Sequence, residues 1–195
     1  MRRILGVIVV VLVCASPAMA TDFKIFGSYW NTSDLSNTAG GGIGLGFPLG
    51  SSPLSIAVSG TYYRQLSDRP LHNFFSDETN QSFFSKNSIR VTPLDAQLQW
   101  RFPNDSMVEP WVGAGASYFV IRSTRTGFDF NNETGWNAGA GLKIGQRQGA
   151  NFFADAIYRN TKATVRSTNN SFSVIDRESI SLDGFGVNAG FMWRW

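Results

Sequence analysis

Apolar and polar side chains alternate along most of the chain with a period of two residues. The pattern is clearest around residues 94–102, where Leu94 and Leu98 fall on one face of an extended segment and Asp95 and Gln97 fall on the other. Such alternation predicts β-strands with one apolar face, and eight segments carry it between polar turns. The predicted strands span residues 22–30, 40–49, 54–65, 89–102, 110–122, 135–145, 151–164 and 181–195.

The apolar faces of these strands have the character of surfaces that contact lipid. Most segments reach the length of about ten residues with which a tilted strand crosses a membrane. The opposite faces carry mainly glycine and small polar side chains, which suit a narrow barrel interior better than the surface of a soluble sandwich. Aromatic side chains lie near the strand ends, as in the girdles of membrane barrels. They are Trp30, Tyr62, Trp100, Phe102, Trp111, Tyr118, Trp136, Phe152, Tyr158, Trp193 and Trp195.

The connections between the predicted strands alternate in length. The short ones are at residues 50–53, 103–109 and 146–150, and the longer ones are at residues 31–39, 66–88, 123–134 and 165–180. Transmembrane β-barrels have short periplasmic turns and long external loops. The sequence therefore predicts an all-β protein, a transmembrane antiparallel up-and-down barrel of eight strands with both chain ends in the periplasm.

Several apolar residues break the alternation. Phe26 and Trp30 share a face with Lys24, residues 119–121 are apolar on both faces, and Ile157 interrupts the seventh segment. We expect these apolar side chains to pack inside the barrel.

The first 20 residues have the three parts of a secretory signal. Arg2 and Arg3 precede an apolar run at residues 4–13, and small residues follow at positions 18 and 20, as signal peptidase requires. The apolar run is too short for a membrane-spanning helix, which needs roughly 20 residues. We predict a cleaved signal peptide over residues 1–20 and one barrel domain over residues 21–195.

Cleavage after residue 20 changes what the remaining composition implies. The full chain has 17 basic and 14 acidic residues, and the loss of Arg2 and Arg3 reduces the excess of positive charge to one. This balance gives no support for nucleic-acid binding. Cys14 is lost as well, which excludes disulfides and thiol chemistry. A lipoprotein signal ending at Cys14 is a weaker alternative, because Val13 stands where a small residue is needed.

The last eight residues read Asn-Ala-Gly-Phe-Met-Trp-Arg-Trp. They resemble the C-terminal signal that outer-membrane barrels present to the barrel-assembly machinery, with Asn188 and Gly190 at its polar and glycine positions and Trp193 and Trp195 at its aromatic positions. With eight strands and no plug domain, the chain resembles the small barrels OmpX, the OmpA membrane domain and the opacity-type surface antigens. The resemblance implies a monomeric integral protein of the outer membrane, surrounded by lipid and lipopolysaccharide.

Seven charged residues share the strand faces that are predicted to point inward. We expect opposite charges among them to pair, because an isolated charge in a narrow, partly dry lumen is costly. The predicted result is a salt-bridged plug, and the alternative is a narrow wet channel lined by the same groups. These residues are Lys24, Asp95, Arg101, Lys143, Asp155, Arg159 and Arg194.

The sequence offers little for catalysis or metal binding. His72 is the only histidine, and it lacks the serine partner that lipid-modifying barrels of this size use, so we interpret it as a solvated loop residue. The acids Asp77, Glu78, Asp129 and Glu133 are interpreted as solvated loop charges rather than calcium ligands. We therefore predict no enzyme activity, no cofactor and no metal.

The connection at residues 66–88 contains two pairs of phenylalanines, Phe74-Phe75 and Phe83-Phe84. They predict either a hairpin whose rings pack on each other or an apolar loop that contacts a host surface, a small molecule or lipopolysaccharide. The leading hypothesis is a surface protein that acts through its external loops. A narrow channel, or a transporter of small apolar molecules similar to OmpW, is the alternative. A lipid-modifying enzyme is the third hypothesis.

Overall fold

The computed structural model describes residues 22–33, 37–66, 89–123, 128–146, 148–167 and 179–195. The predicted signal peptide, His72 and the four loop phenylalanines lie outside these residues. In the described residues, eleven strands, β1 to β11, make up the regular structure. Within the described ranges, no helix is long and apolar enough to cross a membrane.

Eight of the strands form one closed barrel in which every neighbour is antiparallel, so the predicted fold class is confirmed. Consecutive barrel strands lie side by side, and the last one pairs with β1 to close the circle. The barrel strands are β1 Asp22–Thr32, β2 Thr38–Pro48, β3 Leu54–Leu66, β4 Ile89–Arg101, β5 Val108–Ser123, β7 Glu133–Ile144, β8 Gly149–Asn160 and β11 Gly184–Arg194. A separate small sheet contains β6 Phe128–Phe130, β9 Lys162–Ser167 and β10 Ser179–Ser181.

The register of the strands sets the shape of the barrel. A path of paired residues that starts at Asp22 on β1 and crosses all eight strands returns to β1 at Thr32, ten residues further along. A shear of this size tilts the strands by about 40° from the barrel axis. Eight strands at this tilt enclose a space that side chains can fill.

The two ends of the barrel differ in their connections. Short turns join β2 to β3, β4 to β5 and β7 to β8 at one end, which we call the short-turn end. The other four connections join strands at the opposite end, the long-connection end. One of these is shorter than the sequence predicts. Because β1 and β2 extend to Thr32 and Thr38, only residues 33–37 connect them.

The small sheet was not predicted from the sequence. The predicted seventh strand ends as a barrel strand at Asn160, because Thr161 bonds to the segment before β11: its N–H donates to Asp183 Oδ1 at 2.8 Å, and its carbonyl accepts from Leu182 N at 3.0 Å. The chain continues as β9, which pairs with β10 and β6. The final barrel strand therefore begins at Gly184 rather than at residue 181.

Side chains alternate between the lumen and the outer wall of the barrel. Ile43, Leu98 and Phe191 on the outer wall expose half or more of their surface, as the predicted lipid-facing pattern requires. Gly42, Gly44 and Gly46 of β2 face inward and leave room for larger side chains from the neighbouring strand. A Cβ at Gly42 would collide with the ring of Phe26. Glycine on one strand thus accommodates a large apolar side chain of the next strand inside the narrow lumen.

Two of the aromatic residues predicted for the girdles lie inside the barrel instead. Trp30 is fully buried and Trp111 is 7% exposed, because both share the inward phase of their strands. The outward girdle at the long-connection end includes Trp136 and Tyr158, whose ring centroids are 5.4 Å apart. The structure buries the apolar residues that broke the alternation, apart from Val120. These buried residues are Phe26, Trp30, Phe119, Ile121 and Ile157.

Candidate functional site

The lumen is the candidate functional site, and a network of five charged residues occupies its short-turn end. Asp22 accepts hydrogen bonds from Arg101 and, at 2.7 Å, from the Nε of Arg194. The two terminal nitrogens of Arg194 also reach the Glu109 carboxylate, at 3.0 and 3.2 Å. Lys143 donates to Glu109 Oε2 at 2.8 Å. One continuous network thus joins five barrel strands.

Lys24 lies in the middle of the lumen and forms no direct ion pair with another described residue. Its ammonium is 5.4 Å from the ring centroid of Trp111 and 4.9 Å from that of Phe153, an arrangement that favours a cation. Among the described residues, no carboxylate oxygen lies within 4 Å of it. Asp155 lines the same cavity and accepts from Asn188 Nδ2 at 2.6 Å. The cavity of about 30 Å³ has room for one or two water molecules.

A buried ion pair lies in the half of the lumen nearer the long-connection end. Arg159 Nη2 donates to Asp95 Oδ2 at 2.6 Å, and its Nε lies 3.1 and 3.2 Å from the two carboxylate oxygens. Ser117 donates to Asp95 Oδ1 at 2.6 Å, and Asn137 donates to Ser117 at 2.8 Å. Gln97 completes the chain with a bond to Asn137 at 2.8 Å. These bonds hold the ion pair in one geometry.

Three fully buried rings lie next to this ion pair, toward the long-connection end. We call Trp30, Tyr63 and Phe119 the aromatic layer. The centroid of Trp30 is 5.1 Å from that of Tyr63 and 6.2 Å from that of Phe119. The Arg159 guanidinium lies 5.7 Å from the Trp30 ring centroid, and the hydroxyls of Tyr63 and Ser28 are 2.6 Å apart. The aromatic layer and the ion pair therefore pack as one unit.

All seven charged residues predicted to face inward lie in the lumen. The structure brings Arg101, Lys143 and Arg194 into the network at the short-turn end, and it pairs Asp95 with Arg159. Lys24 and Asp155 line one cavity but do not form a direct ion pair. In the described part of the chain, no three histidine, cysteine, aspartate or glutamate side chains gather as metal ligands would.

Sequence reasoning missed two members of the network, Asp22 and Glu109. Asp22 shares the inward phase of Lys24, so the alternation contained the signal. Glu109 was assigned to a turn because the fifth strand was predicted to begin at residue 110, whereas β5 begins at Val108. A carboxylate at each of these positions supplies the anions that the three neighbouring cations require.

The residues of the predicted assembly signal lie on both faces of β11. Asn188 and Gly190 face the lumen, where Asn188 bonds to Asp155. Trp193 and Trp195 face outward, and the ring centroids of Trp193 and Phe191 are 6.4 Å apart. Their part in assembly stays a prediction.

Comparison with known proteins identifies the family. The family described as "Outer membrane protein beta-barrel domain" matches residues 5–193. The chain belongs to this family. No curated protein sequence matches it. In outer-membrane barrels the short turns are periplasmic and the long loops external. The charged network therefore lies at the periplasmic end of this barrel, and the aromatic layer lies toward its external end.

Solved structures of other outer-membrane barrels have similar folds. OprG from Pseudomonas aeruginosa matches with a TM-score of 0.66 at 12% identity, over 91% of this chain and 97% of OprG. Neisserial surface protein A gives 0.60 at 15% identity, over 91% and 97%. AlkL, solved by solid-state NMR in lipid bilayers, gives 0.57 at 15% identity, over 91% of each chain. At these identities the similarity shows the fold alone.

Proposed function

We propose that this outer-membrane barrel acts at the cell surface through its external connections, and that its lumen is a closed support for them. The observation that carries the proposal is the Asp95–Arg159 pair directly beneath the aromatic layer. The two charged residues are 2% and 1% exposed. A solute moving along the barrel axis would have to separate this ion pair and displace three packed rings. Separating a buried ion pair costs about 3–5 kcal/mol when one partner is left uncompensated.

The proposed contacts are made by the connections at the external end. The connection at residues 67–88 contains the four phenylalanines, which supply an apolar contact surface in this proposal. The proposed partner is therefore an apolar patch on a host or bacterial surface, or the glycolipid around the barrel. Function in such proteins resides in loops that a rigid scaffold positions.

Planar-bilayer conductance of the refolded barrel tests the closed lumen. Heat-dependent migration on a gel first establishes that the barrel has folded. We expect silence or rare, small openings from the wild type. Steady, ion-selective openings that change with Asp95→Asn would contradict a closed lumen and make axial transport the function to pursue.

A second candidate function is the sideways release of small apolar molecules through the wall, and one observation favours it. The pairing of β3 with β4 is interrupted between the pairs Gly60–Leu94 and Tyr63–Val91. Pro93 lies in this gap and has no N–H to donate. In the described structure, the buried hydroxyl of Thr61 in the same gap has no hydrogen-bond partner. Among the described strand pairs of the barrel, only β3 and β4 have an interrupted register.

Uptake of an apolar fluorescent dye into liposomes that contain the barrel tests the second candidate. Pro93→Val restores the missing N–H and should reduce uptake if molecules leave through the gap. Pro110→Val is the matched control, because Pro110 also lacks an N–H but lies away from the interruption, near the short-turn end of β5, where its carbonyl accepts from Phe102 N. Equal uptake in all three proteins would exclude the gap as a route. An enzymatic role would instead require a lipid-modifying activity that His72→Ala abolishes.

A further inference from the structure

The described outer wall of the barrel carries charge at one place. Among the outward-facing side chains that the structure describes on the barrel strands, only Arg90 on β4 and Arg122 on β5 are charged, and both are exposed. They are also directly opposite each other in the β4–β5 register. The wall contains no other described charge, yet its two arginines occupy one cross-strand pair. A like-charged pair at this one position of the outer wall needs a physical explanation.

Two like charges directly opposite each other on neighbouring strands repel and destabilise the sheet. No carboxylate among the described residues lies within 4 Å of either guanidinium. The repulsion between Arg90 and Arg122 is therefore not offset from within the described protein. An anion held between the two guanidinium groups would attract both of them and so offset their repulsion.

The position of the pair indicates which anion is available. The next outward residues toward the membrane are Thr92 and Val120, and the Leu94–Tyr118 pair follows. Four residues along strands tilted by about 40° place the arginines about 10 Å beyond the ring of Tyr118. Tyrosine rings of the girdle lie at the level where acyl chains meet headgroups. The two guanidinium groups thus lie beside the polar headgroups of the outer leaflet.

We propose that Arg90 and Arg122 form a clamp for a phosphate group on the headgroup of an outer-leaflet glycolipid. The guanidinium group is planar and binds phosphate through paired N–H bonds, which makes arginine better suited to this role than lysine. Two such groups from adjacent strands can bind one phosphate from both sides. The proposal depends on the placement of the barrel in the outer membrane and not on whether its function is surface contact or transport.

Binding of lipid A to the refolded chain in a phosphate-free maltoside detergent tests the clamp, with native mass spectrometry as the readout. We expect bisphosphorylated lipid A to bind at least tenfold more tightly than its dephosphorylated form. The double variant Arg90→Gln/Arg122→Gln should lose at least that factor. Lys162→Gln is the control: it removes the same charge from an exposed residue outside the barrel strands, and it should bind as the wild type does.

Thermal unfolding provides a second readout. The difference in unfolding temperature between the wild type and the double variant should change sign when lipid A is added. Without phosphate in detergent or buffer, the double variant should unfold at the same temperature as the wild type or higher, because repulsion has been removed. With lipid A present, the wild type should be the more stable protein. Unchanged lipid A affinity in the folded double variant would overturn the clamp, as would equal binding of dephosphorylated lipid. Equally strong protection by inorganic phosphate would identify a free-anion site and also overturn the lipid proposal.

Discussion

At the scale of single residues, the ion pair of Asp95 and Arg159 determines how a substitution in the lumen behaves. Both side chains are almost completely buried, and each is the other's counter-charge. Asp95→Ala should destabilise the barrel by about 3–5 kcal/mol, because it leaves Arg159 buried and unpaired. Urea unfolding of the refolded barrel in detergent, followed by gel migration or tryptophan fluorescence, measures the change.

The double variant Asp95→Leu/Arg159→Met is the control for this prediction. Replacing both charges by apolar side chains of similar volume removes the desolvation cost together with the attraction, so most of the lost stability should return. If Asp95→Ala alone left the unfolding midpoint unchanged, the half of the lumen nearer the external end would have to contain enough water to solvate Arg159. The closed lumen of our proposal would then be wrong.

The second prediction at the residue scale concerns Gly42, which atoms of the two neighbouring strands approach too closely to leave room for a side chain. A Cβ at this position would collide with the Phe26 ring and lie 2.6 Å from the carbonyl oxygen of Gly60. Gly42→Val should therefore destabilise the barrel by about 1–3 kcal/mol through overpacking. Gly27→Val is the matched control, since the nearest atom to a Cβ there is 4.0 Å away. Equal unfolding midpoints for the two variants would show that the lumen adapts to the added volume.

At the scale of strands, the sequence predicts the parts of the fold that depend on alternation and on turns. All eight barrel strands were found because each has an apolar outer face of period two. The sheet of β6, β9 and β10 was missed because β6 and β10 have only three residues each, too few to show a period. Its pairings also join residues far apart in sequence, such as Phe128 with Ser167. Trp30 and Trp111 were misplaced because nearness to a strand end does not determine the face on which a side chain lies.

The junction between the barrel and the small sheet supports a prediction of its own. Asp183 accepts from the N–H of Thr161 through its side chain and from the N–H of Ser33 through its carbonyl. Asp183→Ala removes only the side-chain bond, so we expect faster amide hydrogen exchange in β9 and β10. Barrel strands such as β4 should exchange at the wild-type rate, and heat-dependent gel migration should persist. If exchange also accelerated in β4, the junction would be part of the barrel's cooperative unit.

At the scale of the whole molecule, three successive layers of side chains fill the described lumen along its axis, and our proposal is that they close it. The charged network occupies the periplasmic end, the Asp95–Arg159 pair lies beyond the central cavity, and the aromatic layer lies next to the pair on the external side. The residues that face the interior of a barrel of eight strands can be assigned from the alternation of side chains along each strand alone. The partners within each layer depend on the shear that brings distant strands together. For that reason the sequence indicated that charges would meet inside but did not indicate that Lys24 would lie over two rings.

Successive layers predict that opening one of them does not open the barrel. Conductance along an axis is limited by the narrowest remaining layer. Replacing the aromatic layer by alanine should therefore leave the barrel silent in a planar bilayer, because Asp95 and Arg159 still close the path. A barrel with intact rings in which that pair is converted to Asn and Gln should be silent as well.

The variant that combines both changes should show openings only as wide as the network at the periplasmic end allows, and Arg194→Ala added to it should widen them. Steady current from the ring variant alone would mean that the aromatic layer is the only closure, and the ion pair would then be a structural contact beside a wet channel.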